Sequence, residues 1–307
     1  MKHIFIINPA AGTGMSESSI LPQLIKFIKE HGADFEIHRS LNKQEIGTYV
    51  RARASAGVPV RFYAVGGDGT ICDVVNGMAE YGNAELAVIP CGSGNDFVRN
   101  FSHKENFLNI QNLVDGEIEH IDVIKYNDSY CMNMYNVGTD CDINAYSTEL
   151  RAQGKYKGAM SYAVAAVKVL PKHKTYDLEY TDENGEHHRE EVLLACVGNG
   201  KYCGGGFKPC PKASLVDGLL DVGIVRPLEG AKLMKMLLKY HQGTHIKGKD
   251  AEKYIRYMQM RDFRLIPHAE VNMCVDGETE KFVETYFKVI PRAIKFVVPK
   301  GSVLLSK

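Results

Sequence analysis

Along the first hundred residues, short apolar runs alternate with amphipathic stretches. Ile4–Ile7 and Phe35–Ile37 read as strands, and Ser19–His31 and Lys43–Ala56 as helices. Pro59–Val65 (PVRFYAV) alternates and is rich in β-branched and aromatic residues, so it is a third strand. A helix follows, capped by Thr70, with Ile71, Val74, Val75 and Met78 down one face. Leu86–Ile89 is a fourth strand, and Phe97, Val98 and Phe101 predict a helix behind it. Alternation of this kind predicts a doubly wound α/β domain, a parallel sheet whose ligands lie beyond the C-terminal strand ends.

From about Glu117 the pattern changes. Ile118–Tyr126 and Tyr130–Val137 flank Asn127-Asp128-Ser129, and Thr175–Thr181 and His188–Val197 flank a turn containing Asn184-Gly185; both read as hairpins. Leu219–Val225, Tyr254–Met260, Ala269–Val275, Phe282–Ile290 and Ala293–Val298 are later strands, interrupted by one helix carrying Leu228, Leu233, Met236, Leu237 and Tyr240. This is antiparallel β architecture. No low-complexity linker separates the halves, so the expected division, residues 1–121 and 122–290, is a change of pattern and not a flexible join.

Composition sharpens this picture at a few points. A length of 307 residues favours two domains. Lys+Arg and Asp+Glu both number 37, so no excess charge favours nucleic acid or an anionic membrane. The 8 cysteines show no C-x-x-C spacing and several fall in strands, which fits reduced, buried thiols in a cytoplasm. The first apolar run ends at Asn8-Pro9 without a cleavage-site pattern. Ala159–Leu170, the longest helical apolar stretch, is too short to span a bilayer and contains Lys168, so no membrane span is expected.

The chemistry concentrates at strand ends. In Gly66-Gly67-Asp68-Gly69-Thr70, a strand, a glycine turn and a helix N-terminus together form an anion site. Asp68 would repel a bare phosphate, so its presence argues for a magnesium–nucleotide complex. Asn8 to Gly14 follow the first strand, Ser40 the second, and Pro90 to Asp96 the fourth. The three glycine loops are expected to converge on one sheet edge, whereas Ser40 either meets a ligand or caps the next helix. In the second half, Gly198 to Gly206 (GNGKYCGGG) reads as a cleft-lining loop or a bulged crossing between strands. Asp276-Gly277-Glu278 is either a type I′ turn or a pair of working carboxylates.

Taken together, NPAAG, GGDGT, PCGSGNDFVRN, GNGKYCGGG, PKASLVDGLLDV and VDGE, in this order, resemble the soluble bacterial diacylglycerol kinase and YegS-like lipid kinase family over nearly the whole chain. The resemblance implies an ATP- and Mg²⁺-dependent kinase. Its nucleotide domain would be followed by a β-sandwich lipid-substrate domain, with residues 291–307 returning to the first. It places Asn8, Pro9, Ala10, Ala11, Gly12, Thr13, Ser40, Gly66, Gly67, Asp68, Gly69, Thr70, Ser93, Asn95 and Arg99 against ATP. Asp68, Asp96 and Asp122 resemble the family's aspartate–magnesium network, and Asp217, with the carbonyls of Ser214 and Leu219, a structural magnesium site. Glu278, with Asp276 beside it and Asp68 opposite, would be catalytic. Thr13 stands where a basic residue is common, so phosphate charge would be met elsewhere, Arg99 and Lys157 being the candidates. The implied acceptor is a lipid at a membrane surface, foremost diacylglycerol giving phosphatidic acid. GGDGT alone is shared with NAD kinases, so a soluble acceptor stays open, as does a non-catalytic sensor on the same fold. The residues leave open whether the chain forms a homodimer.

Overall fold

The computed structural model describes residues 1–9, 11–32, 34–156, 158–172, 174–248 and 251–305. The first part runs β1 (Lys2–Ile7), α1 (Leu21–His31), β2 (Phe35–Arg39), α2 (Lys43–Ala54), β3 (Val60–Gly66), α3 (Asp68–Met78) and β4 (Ala84–Pro90). Its strands pair in parallel in the order β2-β1-β3-β4. Ile4 to Ile7 and Phe62 to Val65 are wholly buried, the near-continuous apolar run that a sheet covered on both faces demands. Leu24, Ile46, Val50, Ile71, Val74 and Val75 supply the covering helix faces.

Two local expectations change. Gly67, not Thr70, occupies the N-cap of α3, and Thr70 lies in the first turn, where its hydroxyl accepts Asn8 Nδ2 at 3.1 Å. Behind Asp96 the chain makes only a short 3₁₀ turn, Phe97–Asn100, because Phe97 and Phe101 turn inward to pack on Phe296.

The remainder comprises α4 (Ile110–Val114), β5 (Glu117–Tyr126), β6 (Ser129–Cys131), β7 (Met134–Gly138), α5 (Thr139–Ala152), α6 (Gly158–Val169), β8 (Tyr176–Thr181), β9 (His187–Val192) and β10 (Leu194–Gly198). There follow β11 (Leu220–Val225), α7 (Gly230–Gln242), α8 (Ala251–Tyr254), β12 (Ile255–Met260), β13 (Asp262–Pro267), β14 (Asn272–Val275), β15 (Glu278–Lys281) and β16 (Thr285–Val298). Six strands form an antiparallel sheet in the order β12-β11-β10-β7-β14-β15. One face, through Tyr135, Val137, Val197 and Val222, packs on Leu178, Tyr180, Phe263 and Phe287 of the first sheet's extension, making the sandwich. The other face packs on α5, α6 and α7 through Met134, Cys196, Leu150, Ala165 and Leu233.

The stretch His188–Val197 is two strands: the chain breaks at Leu193 and passes from one sheet to the other. Conversely, the strands expected on either side of Pro291 are one, β16. Its first half pairs with β13 and with Val123–Tyr126 of β5. After a register shift between Ile290 and Ile294, where Arg292 has a φ of 55°, its second half pairs with Glu117–Ile121, and Phe296 meets Leu86 of β4. Pro291 lacks an N–H and lies in that irregularity, where the ladder does not require one. None of the eight cysteines is in a disulfide, and seven of them are buried. Among the described residues no helix is long and apolar enough to cross a membrane.

Phe296 ties the C-terminal strand to Phe97, Phe101 and Phe107, and so to the loop bearing Asp96. Phe296→Ala should cost about 3–5 kcal/mol in denaturant titration, whereas Tyr286→Ala on the same strand, half exposed, should cost far less. Equal losses would contradict this account of the packing.

Candidate active site

The loops after β1, β3 and β4 meet. Asn8 reaches Thr70, and Gly67 and Gly92 abut backbone to backbone, a Cβ on Gly67 lying 3.1 Å from Gly92 Cα. These loops form one wall of a cleft of about 350 Å³, contributing Asn8, Ala11, Gly67 to Thr70, Gly92 to Gly94 and Asp96. The opposite wall comes from β7, α5, the Cys203–Gly205 loop and the β14–β15 hairpin.

Carboxylates converge there. Asp68 accepts the backbone N–H of Asp96 (3.1 Å) and of Phe97 (3.0 Å), which fixes the third loop on the second. Asp96 Oδ2 accepts the Gly205 N–H at 2.8 Å across the cleft, and Asp96 Oδ1 faces Arg99 Nε at 3.1 Å. A Cβ built on Gly94 would lie 3.0 Å from Asp96 Oδ2 and 3.2 Å from Asp68 Oδ2, so two acids flank one point. Burial, followed by the charge of Asp68, pushes Asp96 up to about 7; burial also raises Asp68.

Asp276 and Gly277 both have positive φ, 45° and 94°, and join Val275 to its partner Glu278 in a two-residue hairpin turn of type I′. The turn and the site are the same object. Asp276 Oδ1 accepts Asn133 N (3.2 Å) and Met134 N (2.8 Å), and its Oδ2 accepts Met132 N (2.9 Å). Burial raises its carboxyl to about 6. Glu278, exposed, leans across to the wall made by the glycine loops, where a Cβ on Gly69 would lie 2.7 Å from its Oε1.

Comparison with known proteins decides what kind of cleft this is. Residues 2–126 match the diacylglycerol kinase catalytic domain, and residues 133–298 match the YegS C-terminal NAD kinase beta sandwich-like domain. The chain belongs to the diacylglycerol kinase-like lipid kinase family. A diacylglycerol kinase of Bacillus subtilis (strain 168) is 26% identical over 304 residues, covering 98% of this chain and 97% of that protein. One from Staphylococcus haemolyticus (strain JCSC1435) is 28% identical over 298 residues, with coverage of 96% and 87%. A crystal structure of a diacylglycerol kinase from Bacillus anthracis str. Sterne shares the fold, with a TM-score of 0.70 at 21% identity over 98% of both chains.

Within this lipid kinase fold, the residues expected from sequence are distributed unevenly. Asn8, Ala11, Gly67, Asp68, Gly69, Thr70, Ser93, Asp96, Asp276 and Glu278 line the cleft. Gly66 ends β3 and packs directly on Thr70. Pro9 follows Asn8, whose carbonyl accepts Ser16 Oγ at 2.7 Å, and Gly12 and Thr13 lie in a 3₁₀ turn. Ala10 and Lys157 fall outside the described residues, as does the Thr13 side chain. Ser40 is buried and neither meets the cleft nor caps a helix: its hydroxyl donates to Ile7 O at 3.1 Å, and Asn42 caps α2. Asn95 braces its own loop through both bonds to Gly92, and Arg99 is held by Asp96 and by Gly94 O.

Asp122 does not join Asp68 and Asp96. It is fully buried, its Oδ2 accepting Gly218 N at 2.7 Å and its Oδ1 Arg292 N at 2.8 Å, so it belongs to the turn around Asp217. Asp217 Oδ1 accepts Leu219 N at 3.0 Å, and Asp122 N donates to Leu215 O. These hydrogen bonds span the Ser214–Leu219 turn. Burial, and then Asp122, raises the Asp217 carboxyl.

Sequence reasoning missed the wall made by β7, the residue before it and α5: Asn133, Asn136, Asp140, Asn144 and Arg151, with Tyr162 of α6. A signal existed, since Asp140, Asn144 and Arg151 fall at i, i+4 and i+11, one face of a helix. Arg151 places a cation on this wall, its guanidinium donating to Ser147 Oγ at 3.3 Å and Thr148 Oγ1 at 2.8 Å. Burial raises Asp140 to about 7.

Two outcomes follow from the hydrogen bonding. Asp276→Ala strands three backbone N–H groups and should cost at least about 3 kcal/mol, whereas Glu278→Gln, exposed, should change stability by under ~0.5 kcal/mol. Thermal melts of both variants check this, and the reverse order would contradict it. The second concerns pH. Because Asp96 holds a proton up to about 7 in the folded, cation-free protein but releases it near 4 when unfolded, stability falls as pH rises through that window. In chelator, the melting temperature of Asp96→Asn minus that of the parent should therefore grow from pH 5 to pH 8. A flat or shrinking difference would contradict the assignment.

Proposed function

We propose that the protein transfers the γ-phosphoryl group of ATP to the hydroxyl of a lipid presented at a membrane surface, with diacylglycerol the acceptor that the names of its relatives put first. One observation carries this reading: Glu278, borne by the sandwich half, touches the glycine loop of the other half at Gly69, so an acceptor hydroxyl brought to that contact meets the loop and the carboxylate together. Residues 1–121 with 291–307 would then hold the nucleotide and residues 122–290 the lipid.

The loops after β1, β3 and β4 and the N-terminus of α3 offer backbone N–H groups and a positive dipole end to the phosphates. Glu278 orients the lipid hydroxyl and takes its proton. The freed oxygen bonds to the γ-phosphorus as the bond to the ADP oxygen breaks, and ADP leaves with that electron pair. Arg151 faces the same cleft and can meet transferred charge.

The residues fit a divalent cation. Asp68 and Asp96 flank one point, and Asp96 Oδ1, buried with Arg99 Nε 3.1 Å away, accepts no well-formed hydrogen bond among the described residues. Magnesium held there would supply charge neutralisation for the phosphates. Asp276, engaged by three N–H groups, positions Glu278 and does not react.

The test is ATP turnover with dispersed diacylglycerol, with NAD, and with neither. Turnover should rise with the lipid alone. Glu278→Gln should lower kcat by about 10²–10⁴-fold with ATP Kd unchanged. Stimulation by NAD, or an ATP Kd that collapses in Glu278→Gln while kcat holds, would overturn the reading.

A further inference from the structure

The sandwich-side wall of the cleft carries a group the transfer chemistry does not use. Along β7, Tyr135 and Val137 enter the sandwich core, and by the two-residue period Asn136 faces the opposite way, beside Met134. Asn136 is 5% exposed and lines the cleft, and its Oδ1 is buried with no hydrogen-bond donor among the described residues. Native proteins rarely keep such an acceptor unpaired. Nearby, Asp140 is 6% exposed and accepts the Tyr162 hydroxyl, with Cys203 Sγ 3.8 Å from its other oxygen.

Asp140 and Tyr162 line two spaces at once. They face the polar cleft, and they also close an apolar cavity of about 40 Å³ walled by Ile143, Leu170, Phe207, Leu233 and Leu237. That is room for roughly three water-sized groups, hence for the start of a hydrocarbon chain. An amide acceptor, a hydrogen-bonded acid and a hydrocarbon-lined cavity thus adjoin the carboxylates.

We propose that Asn136 positions the acceptor by taking a hydrogen bond from a second O–H or N–H in its head, while its chain enters the cavity past Asp140 and Tyr162. The inference rests on the lipid-kinase reading and ranks acceptors within it. A monoacylglycerol, which keeps a donor besides the reacting hydroxyl, is favoured over diacylglycerol, whose other oxygens only accept. A fatty alcohol, with no second polar group, is last.

Initial rates with monoacylglycerol, diacylglycerol and a fatty alcohol of equal chain length in mixed micelles test this, alongside melting temperature and ATP Kd. Wild-type kcat/KM should favour monoacylglycerol over the alcohol by about 10–100-fold, and Asn136→Leu should bring that ratio to within about twofold. The melting temperature should hold or rise, because the change removes a buried unpaired acceptor, and ATP Kd should not move. Asn136→Ala should shift the ratio the same way if Asn136→Leu does not fold. A preference retained in the variants overturns the inference. So does a wild type that does not favour monoacylglycerol, or a lowered melting temperature with all three acceptors slowed alike. Turnover without preference removes this inference alone; no turnover with any lipid removes the kinase reading and this inference with it.

Discussion

The geometry of the cleft depends on one long antiparallel pairing, β5 with β16, which runs through both halves of the molecule. Beside β4 it extends the parallel sheet, and farther along it forms one layer of the sandwich. The single irregularity in this pairing, between Ile290 and Ile294, is fastened by Asp122, whose carboxylate accepts Arg292 N on one side and Gly218 N on the other. With both oxygens of its buried side chain engaged by backbone N–H groups from two segments, Asp122 serves as a clamp. The loop that donates Gly205 N–H to Asp96 and the hairpin that carries Glu278 are thereby held opposite the glycine loops.

Four aspartates line the cleft, and for Asp68, Asp96 and Asp276 the N–H groups each receives separate their roles. Asp276 takes three and is a strut, Asp68 takes two and locks adjacent loops, and Asp96 takes one, from across the cleft. A buried carboxylate with few donors prefers its proton or a cation. Of these three, Asp96, beside the glycine loops, receives the fewest N–H groups, with Arg99 Nε 3.1 Å from its other oxygen, whereas Glu278 is exposed.

Much of this was legible in the chain. Strand–helix alternation gave the first sheet, glycine at successive strand ends marked one wall of the cleft, and Asp-Gly-Glu after an apolar strand marked the hairpin. The helix α5 escaped notice because Thr139-Asp-Cys-Asp-Ile-Asn is poor in helix formers, and tertiary packing of Ile143 and Leu150 overrides that weak propensity. Ser40 follows β2 and Asp122 lies within β5, but where a hydroxyl or carboxylate points is decided by long-range backbone partners, Ile7 in one case and Arg292 in the other. Pro291 looked like a strand end, yet a register shift lets β16 pass through it.

The central claim is that phosphate leaves ATP for a lipid hydroxyl held between the two halves. Incubating the protein with γ-labelled ATP and a total lipid extract, then separating organic and aqueous phases, tests it most directly. The account predicts label in the organic phase as a phosphorylated lipid, absent when Glu278 is replaced by Gln. Label found only as inorganic phosphate, or in a water-soluble nucleotide, would contradict it.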